Sequence, residues 1–337
     1  MHSKNSPRIF AAAAALTLAL LVIAFVPQLL GSEVRRALGG LSSAQPIWLW
    51  LASVCFVGSL VGTAGAWLSA IGLVGGRIGW VDAGARYGMG SLINSFAPAR
   101  LGDLVRLALF SRALDSDDRL WRAGGSFAVI GVARGLVLAL LVVVGSIVGA
   151  LPLWPVLVLI GLTGVAALAA VTTRNRRPRT HVGHALDAFR ALGREPKRGA
   201  RIVGWIGFST LARLGAAASI AAALGIPSPL IAAVLVVPVL ELSGTMPLTP
   251  GNIGLTSGAI AMALRAHGVG LTAALTTGIA FHAVETAAGI VFGLASALLL
   301  APFSSAVVRR RTTLAAGTAA CAVLMVAFGA TVLVQLV

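Results

Sequence analysis

Residues 123–150 read AGGSFAVIGVARGLVLALLVVVGSIVGA, an apolar run interrupted by a single charge, Arg134. A helix needs about 20 apolar residues to cover the hydrocarbon of a bilayer, so this stretch is long enough to cross. It has company. Apolar runs of spanning length also occupy 10–30, 46–73, 154–172, 202–224, 228–246, 270–300 and 312–336. Of the 337 residues, 58% are hydrophobic and 11% charged, against about 25% charged in ordinary soluble domains. A soluble globular enzyme is excluded. So is a nucleic-acid binder, despite a formal net charge of +16. Cys55 and Cys321 both lie inside apolar runs, so neither a disulfide framework nor a thiolate metal site is expected. The expected fold is all-α: one polytopic transmembrane bundle over 1–337 with about eight spanning helices.

The first run follows Lys4 and Arg8 as a signal peptide would, but Ile9 to Leu30 exceeds the roughly 7–15 residues of a signal h-region. It reads as a retained helix. Two stretches, 82–112 and 228–268, are broken by Pro and Gly and read as re-entrant hairpins. Basic residues favour the cytoplasmic side of short loops. The segment 173–201 holds nine of them, from Arg174 to Arg201, and Lys4 with Arg8 and Arg309 to Arg311 form two further clusters. All three clusters share one side if the hairpins enter from opposite faces, with the N-terminus cytoplasmic in a cell (inner or plasma) membrane. Pro98-Ala-Arg-Leu-Gly102 and Pro250-Gly-Asn-Ile-Gly254 share the spacing Pro-x-x-(Leu/Ile)-Gly, 152 residues apart. Opposed hairpins with matching breaks point to an inverted repeat, the plan of many secondary transporters.

Seven charged residues fall where lipid should be: Arg100, Asp103, Arg106, Arg134, Arg213, Glu241 and Glu285, with His282 one turn before the last. Each costs about 2.5–3.5 kcal/mol at a helix centre, on the order of 20 kcal/mol together. That exceeds the roughly 5–15 kcal/mol of a domain's net stability. They must face the interior and pair, or meet water and a ligand. Internal pairing, Arg213 with Glu241 or Arg134 with Glu285, is one outcome. Arg100, Asp103 and Arg106 share a helical face if a helix starts near Pro98. A helix start there offers amide donors to an anion, and guanidinium suits phosphate. The seven carry a surplus of one cation, so an anionic, phosphate-bearing ligand inside the membrane is expected.

Other chemistry is thin. Asp115, Asp117 and Asp118 read as a solvated helix end rather than half a metal–diphosphate site. Asp82-Ala-Gly-Ala-Arg86 lacks the paired downstream aspartates of a CDP-alcohol phosphotransferase. His181 and His184 with Asp187 read as loop residues, and no Walker A sequence exists. No metal, cofactor or catalytic group is expected. The basic loop serves topology and has the added capacity to grip anionic headgroups.

Asn94-Ser-Phe-Ala-Pro-Ala-Arg-Leu-Gly-Asp-Leu-Val-Arg106 resembles a signature of the flippase-like membrane domain of lysylphosphatidylglycerol synthases, at Asn94, Pro98, Arg100, Gly102, Asp103 and Arg106. Pro247-Leu-Thr-Pro-Gly-Asn-Ile-Gly254 is similar to the second signature of that family. Asn252 replaces a Gly, Ser257 a Glu, and Ala133 and Val137 stand where acidic residues flank the equivalent of Arg134. No soluble stretch exceeds 173–201, so aminoacyl-lipid synthesis by this chain is not expected. The resemblance implies movement of an anionic lipid or lipid-linked headgroup, a phospholipid or polyprenyl phosphate, between leaflets. It assigns Arg100 and Arg106 to the headgroup, with Asp103 orienting them. Asn94, Arg134, Arg213, Glu241, Asn252, His282 and Glu285 are further substrate-facing candidates. Pro98, Gly102, Pro247, Pro250, Gly251 and Gly254 would break helices around the path. The competing readings are an integral-membrane enzyme using Asp103 with Glu285 or His282 as acid and base, and an accessory protein of a lipid-modifying complex.

Overall fold

The structure, a computed structural model, describes residues 39–41, 44–97, 101–152, 156–157, 188–243 and 254–300. Among them every regular element is helical: α1 (Pro46–Leu73), α2 (Trp80–Phe96), α3 (Leu101–Ser111), α4 (Arg119–Ile147), α5 (Pro196–Ala223), α6 (Pro229–Ser243), α7 (Leu255–Ala266) and α8 (Leu271–Leu300), with a short helical stretch at 188–194. The expected spans at 10–30 and 312–336, and all but two residues of 154–172, lie outside the described residues. So do Pro98, Arg100, Pro247, Pro250, Gly251 and Asn252.

Four helices, α1, α4, α5 and α8, are long and apolar enough to cross a membrane. At 28 to 30 residues each measures about 42–45 Å. Along α4, Val132, Leu136, Leu140, Val144 and Ile147 are all exposed at a spacing that gives one stripe. In water such a stripe would be a large sticky patch; against acyl chains it costs nothing. The chain is a membrane-embedded, multi-pass helical protein.

One boundary differs from expectation. Helix α5 begins at Pro196, inside the stretch read as a basic loop and before the apolar run that starts at 202. Pro tolerates the first helical turn because its missing N–H would have no partner there. The charged residues that follow ride on the helix end rather than on a loop.

The second half of the described chain retraces the first. Helices α1 to α4 have 28, 17, 11 and 29 residues, and α5 to α8 have 28, 15, 12 and 30. Ser59, Gly65, Ala66, Ser69 and Gly75 recur 150 positions later as Ser209, Gly215, Ala216, Ser219 and Gly225. Local bonds recur with them. Ser69 Oγ donates to the Gly65 carbonyl at 2.9 Å, and Ser219 Oγ to that of Gly215 at 2.7 Å. Helix α1 ends with Gly75 N–H on Gly72 O and Gly76 N–H on Ile71 O; α5 ends with Gly225 on Ala222 and Ile226 on Ala221. Gly75 and Gly225 both take positive φ, 90° and 68°, the left-handed residue that closes a helix.

The equivalent helices α1 and α5 form the most extensive contact in the structure and run antiparallel. Gln45 N–H bonds Ala223 O at 3.0 Å, Ser59 meets Ser209, and Gly72 lies against Arg198. Small residues permit the approach: a Cβ at Gly62 would stand 2.9 Å from Phe208, and one at Gly65 2.6 Å from Trp205. The remaining packing is mirrored, α2 on α8 as α6 on α4, and α3 on α4 as α7 on α8. Phe56 and Phe281 anchor one apolar cluster with Ile220, Ile260 and Leu264. Trp67, stacked on Phe110 at 4.4 Å, anchors the other.

Each half contains one interruption. Helix α2 ends at Ala97, which is extended (φ −86°, ψ 140°); the residue before a proline is pushed out of the helical region, and Pro98 follows. In the second half, α7 starts on Gly254 at φ 85°.

Candidate functional site

Both interruptions bring polar residues to one cavity of about 420 Å³. Asn94, Asp103, Arg106, Arg134, Arg213, Glu241, His282 and Glu285 all line it. The substrate-facing candidates within the described residues thus converge from α2, α3, α4, α5, α6 and α8.

The α2–α3 side is tightly bonded. Asn94, in the last turn of α2, accepts from Gly102 N–H at 2.7 Å and donates to Asp103 Oδ1 at 3.2 Å. Its amide therefore straddles the break and caps α3, satisfying an amide that has no intrahelical partner. Gly102 was expected to break a helix. It instead lies buried in the first turn of α3, where a Cβ would stand 2.0 Å from the Gly90 carbonyl. Its bareness lets α3 close on α2. Arg106 reaches Asp103 Oδ1 at 2.6 Å, Ser91 Oγ at 2.7 Å and the Tyr87 carbonyl at 3.2 Å, with its guanidinium 4.1 Å from the Tyr87 ring centroid.

The opposite side is built on Arg213. It donates to Glu241 Oε1 at 2.6 Å and also to Glu285 Oε1, joining α5, α6 and α8. Pro238 sits inside α6, one turn before Glu241, and deprives the helix of one internal bond. Arg134 approaches from α4 and stands 3.7 Å from Glu241 Oε2. The expected Arg134–Glu285 pair is thus corrected: Glu285 belongs to Arg213, because α8 packs on α5 while α4 meets α6. Arg134 is the loosest cation, 37% exposed, against 24% for Arg213 and 12% for Arg106. Nδ1 of His282 is buried without a hydrogen-bond partner among the described residues.

Three guanidinium groups thus face three carboxylates. The expected cationic surplus counted Arg100, which lies outside the described residues. Among the described residues the charges of the site balance, with open volume beside them.

A sequence model of the "Lysylphosphatidylglycerol synthase TM region" matches residues 10–293. The chain belongs to this family. Membership of the lysylphosphatidylglycerol synthase transmembrane family ties the chain to membrane-lipid handling, and the match runs through every described helix up to Gly293 in α8. No curated protein matches the chain.

Several lining residues escaped the sequence reading of this family member. Tyr87, the single tyrosine of the chain, and Ser91 hold Arg106. Ser59, Thr63 and Ser209 form a hydroxyl cluster with Oγ separations of 2.9 and 3.0 Å where α1 crosses α5. Their spacing from known candidates was the available signal: Tyr87, Ser91 and Asn94 share one face of α2, and Ser209 lies one turn before Arg213.

Proposed function

We propose that this protein moves an anionic lipid or lipid-linked headgroup between leaflets, with the central cavity as the headgroup path. The observation that carries this is the gathering of Asp103, Arg106, Arg134, Arg213, Glu241 and Glu285 around about 420 Å³ of open volume. A purely structural network would be packed shut, because a buried charge stabilises best with all its bonds made.

Charge balance sets the mechanism. Arg134 is the cation an incoming phosphate recruits at least cost. Turning it away from Glu241 leaves that carboxylate with Arg213 at 2.6 Å, so no charge is stranded. Arg106, held by Asp103, Ser91 and Tyr87, presents its remaining donors from a fixed position. The hydroxyls of Ser59, Thr63 and Ser209 offer bonds to a polar headgroup while acyl or prenyl tails stay in lipid. The antiparallel run of the equivalent helices α1 and α5 supports reading the two halves as an inverted repeat. Rocking one half against the other along α1 and α5 would open the cavity to each face in turn.

The test is reconstitution of the full chain into liposomes with a labelled phospholipid. Leaflet exchange without a new product supports transport. Formation of a modified lipid supports an enzyme instead, and neither result supports an accessory role.

A further inference from the structure

A second cavity, of about 1060 Å³, lies where the end of α1 and the starts of α2 and α5 meet. Arg77, Arg198 and Arg201 line it, with Asp82 and Glu195 the carboxylates, leaving a surplus of one positive charge. Arg198 is committed: it bonds Glu195 Oε2 at 2.7 Å and the Gly72 carbonyl that ends α1. Arg77 and Arg201 are exposed, and neither has a carboxylate within ion-pair distance among the described residues. Beside them Trp80 and Trp205 meet edge to face at 4.9 Å, both seated on the bare backbone of Gly65. Trp80 and its neighbour Val81 remain exposed.

The internal repeat supplies a control. The equivalent corner, at the end of α5 and the start of α1, has Pro227, Trp48 and Leu51 in place of Arg77, Arg198 and Arg201, and Gln45 in place of Glu195. The same helix junction is therefore built without charge, and the fold does not require these arginines. A topological bias would be met by basic residues anywhere on that side. It does not call for two unpaired guanidinium groups on one cavity beside a tryptophan pair.

We propose that this corner binds an anionic phospholipid of the adjoining leaflet, its phosphate on Arg77 and Arg201 and its upper acyl chain against Trp80 and Val81. The ends of spanning helices α1 and α5 set the site at the membrane boundary, where tryptophan is at home between headgroup and hydrocarbon. A free anion would use the arginines and gain nothing from the exposed apolar rim; a phospholipid uses both. The site is separate from the central cavity and does not depend on the transport reading.

Photo-crosslinking tests it, using the full chain in micelles and phosphatidylglycerol carrying a photoreactive group near its headgroup, with the phosphatidylcholine counterpart as reference. The phosphatidylglycerol probe should label peptides containing Trp80 and Trp205. Arg77→Gln and Arg201→Gln should each lower labelling about fivefold, and roughly 25-fold together if the sites add. Both side chains are exposed, so thermal unfolding of the variants should match wild type; should one misfold, the other carries the test. Equal labelling by phosphatidylcholine would overturn the proposal, as would wild-type labelling of the double variant. Displacement by soluble glycerol phosphate as readily as by unlabelled lipid would make this a free-anion site and also overturn it.

Discussion

Arg213 and Arg134 share Glu241, yet removing them should have opposite consequences. Arg213 is three-quarters buried and holds two carboxylates that are themselves largely buried, at 17% and 28% exposure. Arg213→Ala takes from Glu241 its 2.6 Å ion pair, leaving the longer one to Arg134 at 3.7 Å, and takes from Glu285 the cation it meets among the described residues. Breaking a buried ion pair from one side costs about 3–5 kcal/mol; partial exposure of the triad places this variant near about 3 kcal/mol. Arg134 is more than a third exposed and makes no hydrogen bond to Glu241, so Arg134→Gln should cost at most about 1 kcal/mol. Lipid exchange should follow a different order. If Arg134 meets the phosphate, losing one charge-assisted bond worth about 1.5–3 kcal/mol slows exchange on the order of 10- to 100-fold. Denaturant unfolding in mixed micelles measures the first quantity, and protection of a labelled lipid in liposomes the second. Adding Glu285→Ala to Arg213→Ala should recover part of the lost stability, since no carboxylate is then stranded there. Equal stability losses in the two single variants would refute the assignment of Arg134 as the mobile cation. So would wild-type exchange in Arg134→Gln.

Asn94→Ala removes the bridge over the α2–α3 break and should cost about 1–3 kcal/mol through the uncapped Gly102 amide, read as faster hydrogen exchange at Leu101 to Asp103. Gly102→Ala drives a Cβ into the Gly90 carbonyl and should cost about 1–3 kcal/mol or more; proteolysis between α2 and α3 would report α3 pushed away, and wild-type resistance would contradict the close approach. Gly65→Ala meets Trp205 and Trp80 within 3 Å and should likewise destabilise the α1–α5 seam by about 1–3 kcal/mol, with a matching drop in unfolding midpoint. Tyr87→Phe should leave exchange near wild type, because Arg106 uses the Tyr87 ring and backbone rather than its hydroxyl; a large loss would give that hydroxyl a role the geometry does not.

Much of the helical layout is written in hydropathy. The apolar run at 46–73 coincides with α1 and that at 270–300 nearly so, because long uncharged runs have one low-energy form in lipid. The interruption after Ala97 was legible from Pro98. The start of α5 was not, since Lys197, Arg198 and Arg201 disguise a helix whose proline start is locally favourable. Charges stood out against an apolar background, so Arg134, Arg213, Glu241 and Glu285 were found without coordinates. Their partners were hidden, because pairing depends on which helices cross and at what height. Hydroxyls stood out less: Ser59, Thr63 and Ser209 cost little in a helix and look the same whether they face lipid, a neighbour or a cavity. The repeat was nearly invisible, showing only as the Pro-x-x-(Leu/Ile)-Gly match until helix ends gave the register that aligns Ser59 with Ser209 and Gly75 with Gly225.

That register has a consequence for how the polypeptide holds together. The seam between the halves is formed by a helix and its own counterpart, which meet along their length from Gln45 against Ala223 to Gly72 against Arg198. Severing the covalent link between α4 and α5 removes none of those contacts. Two fragments, co-expressed as separate polypeptides, should find one another in the bilayer and reassemble into a split but complete protein.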